Sequence, residues 1–199
     1  MPTLIGKPAP QFVAKAIVKG KIVSDFSLSQ YLGRYVLFFF YPLDFTFVCP
    51  TELRGFQDYL EDFHQRNAEV IGCSVDSCYS HLAWLGTPKN KGGIDNVTYP
   101  LVSDLNKTIA KHFDVLMEEE GIAYRGLFLV DTKGIIRHQV VNDFPLGRSI
   151  EEALRILDAL IYFENNGEVC PANWQQGKKA LEPSYEGLEK YFATSVIKN

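Results

Sequence analysis

The sequence predicts an α/β fold built on a strand–helix–strand unit, and three stretches of chain carry that prediction. Tyr35-Val-Leu-Phe-Phe-Phe-Tyr41 is a continuous apolar and aromatic run, the composition of a strand covered on both faces. From Pro50 to Gln65, Leu53, Phe56, Leu60 and Phe63 recur at three- and four-residue intervals and give a helix one apolar stripe. Glu69-Val-Ile-Gly-Cys-Ser-Val75 then reads as a second buried strand, so the three make a βαβ unit with a right-handed parallel crossover. With 199 residues, 46% of them hydrophobic, the chain is long enough to bury one sizeable core as a single domain.

The remaining elements follow in order. Residues 12–26 hold two short apolar pieces around Lys19-Gly20-Lys21, the turn chemistry of a small N-terminal hairpin. After the second strand, Ser80 to Leu85 reads as a helix, Lys89 to Tyr99 as a Gly-rich excursion and Thr108 to Phe113 as a short helix. Arg125 leads into the strand Gly-Leu-Phe-Leu-Val-Asp131, and Thr132-Lys-Gly134 turns the chain back into the strand Ile135 to Val141. Ile150, Ala153, Leu154, Leu157, Leu160 and Ile161 mark an amphipathic helix entered through Ser149, with Glu151 and Glu152 favourable in its first turn; it is expected to cover one sheet face. Beyond Asn165-Asn-Gly167 the density of core-like residues falls, leaving a polar tail with Cys170, Trp174, Tyr191 and Phe192. The pattern is that of a thioredoxin-like α/β domain over residues 1–165, with an N-terminal hairpin, followed by a C-terminal arm over 166–199.

Composition narrows the function classes. A formal net charge of -4 with 22% charged residues offers no general attraction to nucleic acid or to an anionic membrane face. The longest strongly apolar run, Tyr35 to Phe47, is broken by Pro42 and Asp44 and is too short to span a bilayer. Met1 to Lys21 has no continuous apolar stretch ending in a small-residue cleavage site, so a cytoplasmic location is expected. Four cysteines, Cys49, Cys73, Cys78 and Cys170, are few for a disulfide-stapled scaffold, and in a reducing compartment they serve chemistry, metal or packing. Cys73 and Cys78 are separated by four residues, and His64, His81, His112 and His138 include no pair at i, i+3 or i, i+4, so no metal site is expected. Neither G-x-G-x-x-G nor G-x-x-x-x-G-K-[ST] occurs, and no cofactor is expected.

Chemistry concentrates in Tyr41-Pro-Leu-Asp-Phe-Thr-Phe-Val-Cys-Pro-Thr-Glu-Leu53. Pro50 suits the first helical position, which places Cys49 at or just before a helix N-terminus, where unpaired N–H groups and the macrodipole favour an anionic sulfur. That helix follows a central strand, and open α/β sheets place their active sites at the carboxyl edge of such strands. On position alone a buried core thiol remains the competing reading of Cys49, since free cysteine is among the most buried residue types.

At these residues the chain resembles the typical two-cysteine peroxiredoxins. The family's spacing of Pro, three residues, Thr, two residues, Cys and a Glu three further on is met by Pro42, Thr46, Cys49 and Glu52. Its catalytic arginine precedes a strand, here Ala-Tyr-Arg125-Gly-Leu-Phe-Leu-Val-Asp; its supporting arginine falls in Pro-Leu-Gly-Arg148-Ser-Ile, and its resolving cysteine in Glu-Val-Cys170-Pro-Ala-Asn-Trp. The resemblance runs from about Ile5 to Phe192.

The resemblance implies a thiol peroxidase acting on hydrogen peroxide and alkyl hydroperoxides. Cys49 would be oxidised to a sulfenic acid, Thr46 and Arg125 would position and polarise the peroxide, Pro42 would shield the sulfenate, and Glu52 and Arg148 would hold Arg125. Cys170 of another subunit would then close an intersubunit disulfide, which implies a homodimer, assembling in this family to a decamer, with thioredoxin or a flavoprotein disulfide reductase as electron donor. Physical chemistry agrees with the demand for such helpers: nucleophilicity falls as a thiol becomes more acidic, so a fast thiol peroxidase must also polarise the O–O bond and stabilise the departing oxygen. A general disulfide oxidoreductase on the same fold is disfavoured, because Glu52 stands where a C-x-x-C motif has its second cysteine. A redox-regulated holdase chaperone or a peroxide sensor and relay is the alternative of another class.

Sensitive members of the family carry a Gly-Gly-Leu-Gly loop and a C-terminal Tyr-Phe pair that retard resolution. This chain has Tyr191-Phe192 but Gly92-Gly93-Ile94-Asp95, and intermediate sensitivity to overoxidation is expected. Cys73 reads as a small buried hydrophobe within its strand, Cys78 as a packing residue at the start of a helix after Asp76-Ser77, and His81, near Trp84, as structural.

Overall fold

In the computed structural model, which describes residues 3–194, the N-terminal hairpin is formed by β1 (Ala14–Val18) and β2 (Lys21–Phe26). Val18 pairs with Lys21, and the two turn residues, Lys19 and Gly20, have φ of 50° and 73°, the left-handed pair that a two-residue hairpin turn requires. Next come β3 (Tyr35–Phe40), α1 (Cys49–Asp58), α2 (Leu60–Gln65) and β4 (Ala68–Ser74). They are followed by α3 (Cys78–Leu85), β5 (Leu101–Ser103), α4 (Thr108–His112), and a small separate hairpin of β6 (Leu116–Met117) and β7 (Ile122–Ala123). β8 (Arg125–Val130), β9 (Ile136–Asn142), α5 (Ile150–Asn166) and α6 (Tyr185–Thr194) complete the order.

Seven strands form one sheet in the order β2-β1-β5-β4-β3-β8-β9. β3, β4 and β5 are mutually parallel, whereas β8 and β9 add antiparallel on one side and β1 and β2 on the other. Every residue of β3 is buried. Its period-two alternation sends Val36, Phe38 and Phe40 into a cluster with Ile71, Cys73, Phe113 and Phe128, while on the opposite face Phe39 stacks on Phe56 of α1 at 4.5 Å between ring centroids. The continuous apolar run therefore belongs to the central strand because both faces need apolar cover.

Two features differ from the sequence reading. The helix expected from Pro50 to Gln65 bends at Tyr59, where φ is -100° and ψ is 8°, and becomes α1 and α2. Backbone bonds from Tyr59 N–H to the Gly55 carbonyl (3.3 Å) and from Phe63 N–H to the Tyr59 carbonyl (3.2 Å) bridge the bend, so the stripe stays continuous and Leu53, Phe56, Leu60 and Phe63 are all buried. β5, which follows the Gly-rich excursion from Lys89 to Tyr99, is absent from the sequence reading, because a three-residue strand is too short to carry a periodic signal.

The chain divides into two compact units, Met1–Ile150 and Glu151–Asn199. The first contains the sheet. In the second, Ala153, Leu157 and Leu160 are the buried positions of α5, and an isolated antiparallel bridge pairs Val169 with Leu181. Among the described residues no helix is long and apolar enough to cross a membrane.

Candidate active site

The loop from Tyr41 to Val48 joins the carboxyl end of β3 to α1, and Cys49 is the first residue of that helix, with Pro50 second. Proline there loses no bond, since the first helical N–H groups have no intrahelical partner. Cys49 is fully buried, and its sulfur lies 3.4 Å from Nη1 of Arg125, the first residue of β8. The same Nη1 donates to Glu52 Oε2 at 2.7 Å, while Arg125 Nε donates to the Phe144 carbonyl at 2.7 Å. The guanidinium is thus fixed at two of its nitrogens, and one of these also faces the sulfur.

Glu52 is the hub of the site. Besides Arg125 it accepts from Arg148 Nε (2.7 Å) and the Arg148 backbone N–H (2.9 Å) at Oε1, and from Arg148 Nη2 (2.9 Å) at Oε2. Arg148 Nη1 in turn donates to the carbonyls of Phe40 (2.8 Å) and Gly126 (2.6 Å), and its guanidinium carbon sits 5.1 Å from the centroid of the Phe39 ring. Burial by itself would raise the Glu52 pKa. The charge and hydrogen bonds of Arg148, joined by the charge of Arg125, outweigh that and hold the carboxyl below its ordinary value. A carboxylate between two buried guanidiniums leaves the trio with one net positive charge, aimed through Arg125 at the Cys49 sulfur.

Thr46 Oγ1 donates to the Leu43 carbonyl at 2.9 Å, which turns its lone pairs away from that bond and makes the hydroxyl an acceptor for another group. Pro42, Thr46, Val48, Ile122, Arg125 and Phe144 line an open, mainly apolar depression of about 400 Å³. The polar side chains on its lining are those of Thr46 and Arg125. Six of the seven residues singled out from the sequence, Pro42, Thr46, Cys49, Glu52, Arg125 and Arg148, thus belong to the first unit, and Cys170 lies in the second, on the segment after α5. All four cysteines are free thiols.

Sequence reasoning did not identify the groups that hold the Tyr41–Val48 loop. Asp44 accepts from Tyr41 Oη at 2.9 Å and lies 2.8 Å from Nδ1 of the fully buried His81 on α3, whose Nε2 is 3.3 Å from the Val102 carbonyl. The Asp44 N–H donates to Asp76 Oδ2 at 2.9 Å, an oxygen that also accepts from Ser74 Oγ at 2.8 Å. These contacts tie the buried His81, read as structural from the sequence, to the loop that carries Pro42 and Thr46. The apolar walls Ile122 and Phe144 were also missed: one comes from the β6–β7 hairpin and the other from the loop after β9, and neither has a local sequence signal. Cys73 is fully buried in β4 and burial pushes its thiol well up, in line with a packing role; Cys78 opens α3, 4% exposed, and burial raises its thiol as well.

Residues 5–139 match the AhpC/TSA family, and residues 159–194 match the C-terminal domain of 1-Cys peroxiredoxin. The chain is 51% identical over 189 residues to peroxiredoxin-1 of Gallus gallus, covering 95% of each chain. It is 48% identical over 194 residues to a thioredoxin peroxidase of Echinococcus granulosus, covering 98% of this chain and 100% of that one. The reduced 2-Cys peroxiredoxin of Plasmodium vivax has a similar structure, with a TM-score of 0.93 and 48% identity over 97% of this chain and 100% of that one.

Proposed function

Because the chain belongs to the AhpC/TSA family and is a thiol-dependent peroxidase, we propose that it reduces hydrogen peroxide and small organic hydroperoxides at Cys49 and closes a disulfide with Cys170 of a second subunit. The observation that carries the proposal is Arg125 Nη1, shared between the Cys49 sulfur at 3.4 Å and Glu52 Oε2 at 2.7 Å.

In this reading the peroxide enters the depression above Arg125. The Thr46 hydroxyl accepts the peroxide O–H, and the guanidinium donates to the oxygens on which charge develops. The Cys49 thiolate attacks one oxygen; the S–O bond forms as the O–O bond breaks, and the departing oxygen takes a proton and leaves as water or an alcohol. The product is a sulfenic acid, which Pro42 shields from solvent. Glu52 and Arg148 act one step removed, by holding the guanidinium where the transition state needs it. Cys170 then attacks the sulfenic sulfur: the S–S bond forms, the S–O bond breaks, and hydroxide leaves as water after taking a proton. Because Cys49 is fully buried in the first turn of α1, that turn must open before a second thiol reaches its sulfur, which makes local unfolding part of the cycle.

Residues 1–165 serve as the peroxidase domain and 166–199 as an arm that delivers Cys170. Resolution between subunits requires at least a homodimer, and we extend this to a cytoplasmic decamer re-reduced by thioredoxin or a flavoprotein disulfide reductase. Stopped-flow oxidation of the reduced protein by hydrogen peroxide, with wild type compared to Cys49→Ser on non-reducing gels, tests the core of the proposal. Fast oxidation ending in an interchain Cys49–Cys170 disulfide, lost in the variant, is the expected result. A wild-type rate no faster than that of a free thiol would overturn it, and client protection that persists in Cys49→Ser would favour the holdase reading.

A further inference from the structure

The chemistry at Cys49 leaves the surroundings of Cys170 unexplained. On α5, Arg155, Ala159 and Tyr162 fall at i, i+4 and i+7 and so share one face. The segment 168–174 is bonded along that face. Arg155 Nη1 donates to the Trp174 carbonyl at 2.9 Å, the Cys170 thiol donates to the Ala159 carbonyl at 3.6 Å, and Tyr162 Oη donates to Glu168 Oε2 at 2.5 Å. The Tyr162 and Trp174 rings close the arrangement at 4.9 Å. Glu152 holds Arg155 in a two-point ion pair, Nε to Oε2 at 2.6 Å and Nη2 to Oε1 at 2.8 Å. Cys170 is therefore held to the α5 face that also carries a fixed cation and, through Tyr162, a fixed carboxylate. Burial raises its thiol, Arg155 opposes that rise, and Glu168 adds to it.

We propose that Arg155 is a positioning residue for the resolving step, fixing the Cys170 segment through the Trp174 carbonyl and supplying the positive charge that favours the attacking thiolate, with Glu168 setting the opposing field. The inference rests on the reading of Cys170 as the resolving thiol. Attack on the Cys49 sulfenic acid needs the Cys170 thiolate, so the cation governs how much nucleophile is present at a given pH. Glu152 offsets part of its charge, and Cys170 is only partly buried, so the effect is modest: loss of Arg155 moves the ionisation midpoint of Cys170 up.

This makes a prediction that loss of packing does not. Thiol nucleophilicity rises with basicity with a slope of about 0.4–0.5, so below both midpoints the lost thiolate outweighs the gain and Arg155→Met slows attack by about twofold or more, whereas above them only the gain remains and attack is faster than in wild type. A merely structural defect slows it at every pH. The test is iodoacetamide alkylation of the reduced full-length protein across the thiol titration range, with the Cys170 adduct quantified by peptide mass spectrometry, alongside single-turnover disulfide formation. Arg155→Met is expected to shift the alkylation profile up and to give crossing rate curves, Arg155→Lys to stay near wild type, and Glu168→Gln to shift the profile down. Superimposable profiles for wild type, Arg155→Met and Glu168→Gln would overturn the inference, as would a uniform slowing in Arg155→Met without a shift. If Arg155→Met does not fold, Glu168→Gln and Arg155→Lys decide by the same criteria. Failure of the underlying reading has a separate signature: Cys170→Ser would still form an interchain disulfide, through another thiol, at the wild-type rate, while the alkylation profiles of the other variants stand unaffected.

Discussion

Replacing Glu52 with Gln exposes what the two guanidiniums cost without their carboxylate. Glu52 is 2% exposed and Arg125 and Arg148 are 3% and 7% exposed, so bulk water does little to screen the charges. The carboxylate accepts four bonds from the two arginines, whereas an amide has one acceptor oxygen and turns an NH₂ group toward donors. Removing one member of a buried ion pair costs about 3–5 kcal/mol, because the partner charge stays buried and uncompensated. At roughly 2–4 °C per kcal/mol for a chain of this size, the melting temperature falls by about 6–20 °C. The rate of peroxide oxidation falls further than the stability loss alone would explain. Arg125 loses a charge-assisted bond worth about 1.5–3 kcal/mol in its placement, equivalent to about 10- to 150-fold in rate. Acid should mimic the substitution. The folded carboxyl lies below its ordinary value, so its stabilisation is complete above the unfolded value and is lost as pH falls through the folded one. Urea denaturation of both proteins should therefore show a gap in stability at neutral pH that narrows on acidification. Adding Arg148→Met to the variant should cost less than the sum of the two single changes, since the pair shares one network. A Glu52→Gln protein within about 0.5 kcal/mol of wild type and oxidised at the wild-type rate would refute this account of the site.

Three further outcomes are expected. A Cβ added at Gly93 would lie 1.8 Å from the Thr87 carbonyl oxygen and 2.3 Å from its carbon, so Gly93→Ala must displace backbone; a loss of about 1–3 kcal/mol is expected in thermal melts, and an unchanged midpoint would contradict it. Tyr99 Oη donates to the Leu53 carbonyl of α1 at 2.8 Å, so Tyr99→Phe should ease the opening of that helix by about 1 kcal/mol, roughly fivefold. Mass spectra at high peroxide should then show less sulfinic acid at Cys49 than in wild type; disulfide alone in the wild type would rule out intermediate sensitivity, and equal sulfinic fractions would remove Tyr99 from the account. Phe56→Ala breaks the 4.5 Å stack on Phe39 and should cost about 3–5 kcal/mol in denaturant titration, with a value below about 1 kcal/mol arguing against a tightly packed helix–sheet contact there.

Much of this was legible along the chain, and the legible parts are local. The Lys19-Gly20 turn, the run from Tyr35 to Tyr41, the stripe of Leu53, Phe56, Leu60 and Phe63, and the Asp131–Gly134 turn each depend on residues a few positions apart. The spacing of Pro42, Thr46, Cys49 and Glu52 is visible for the same reason: one loop and one helical turn carry all four. By contrast, β5, β6 and β7 have two or three residues each, and short strands owe their existence to partners elsewhere in the chain rather than to an alternating pattern of their own. The bend at Tyr59 is likewise invisible to a stripe that continues across it.

By itself, then, the sequence determined the central strand, the helix that presents Cys49 at its first turn, and which side chains are of the right kind for thiol chemistry. Only the tertiary structure determined that Arg125 and Arg148, 73 and 96 residues from Glu52, converge on one carboxylate, and that Asp44, His81 and Asp76 pin the loop between β3 and α1. Helix periodicity and turn geometry act over a few residues and leave a readable pattern. A buried ion-pair network is closed by strand order: β8 lies against β3 in the sheet, and this brings Arg125 to the end of the strand from which the Cys49 loop departs.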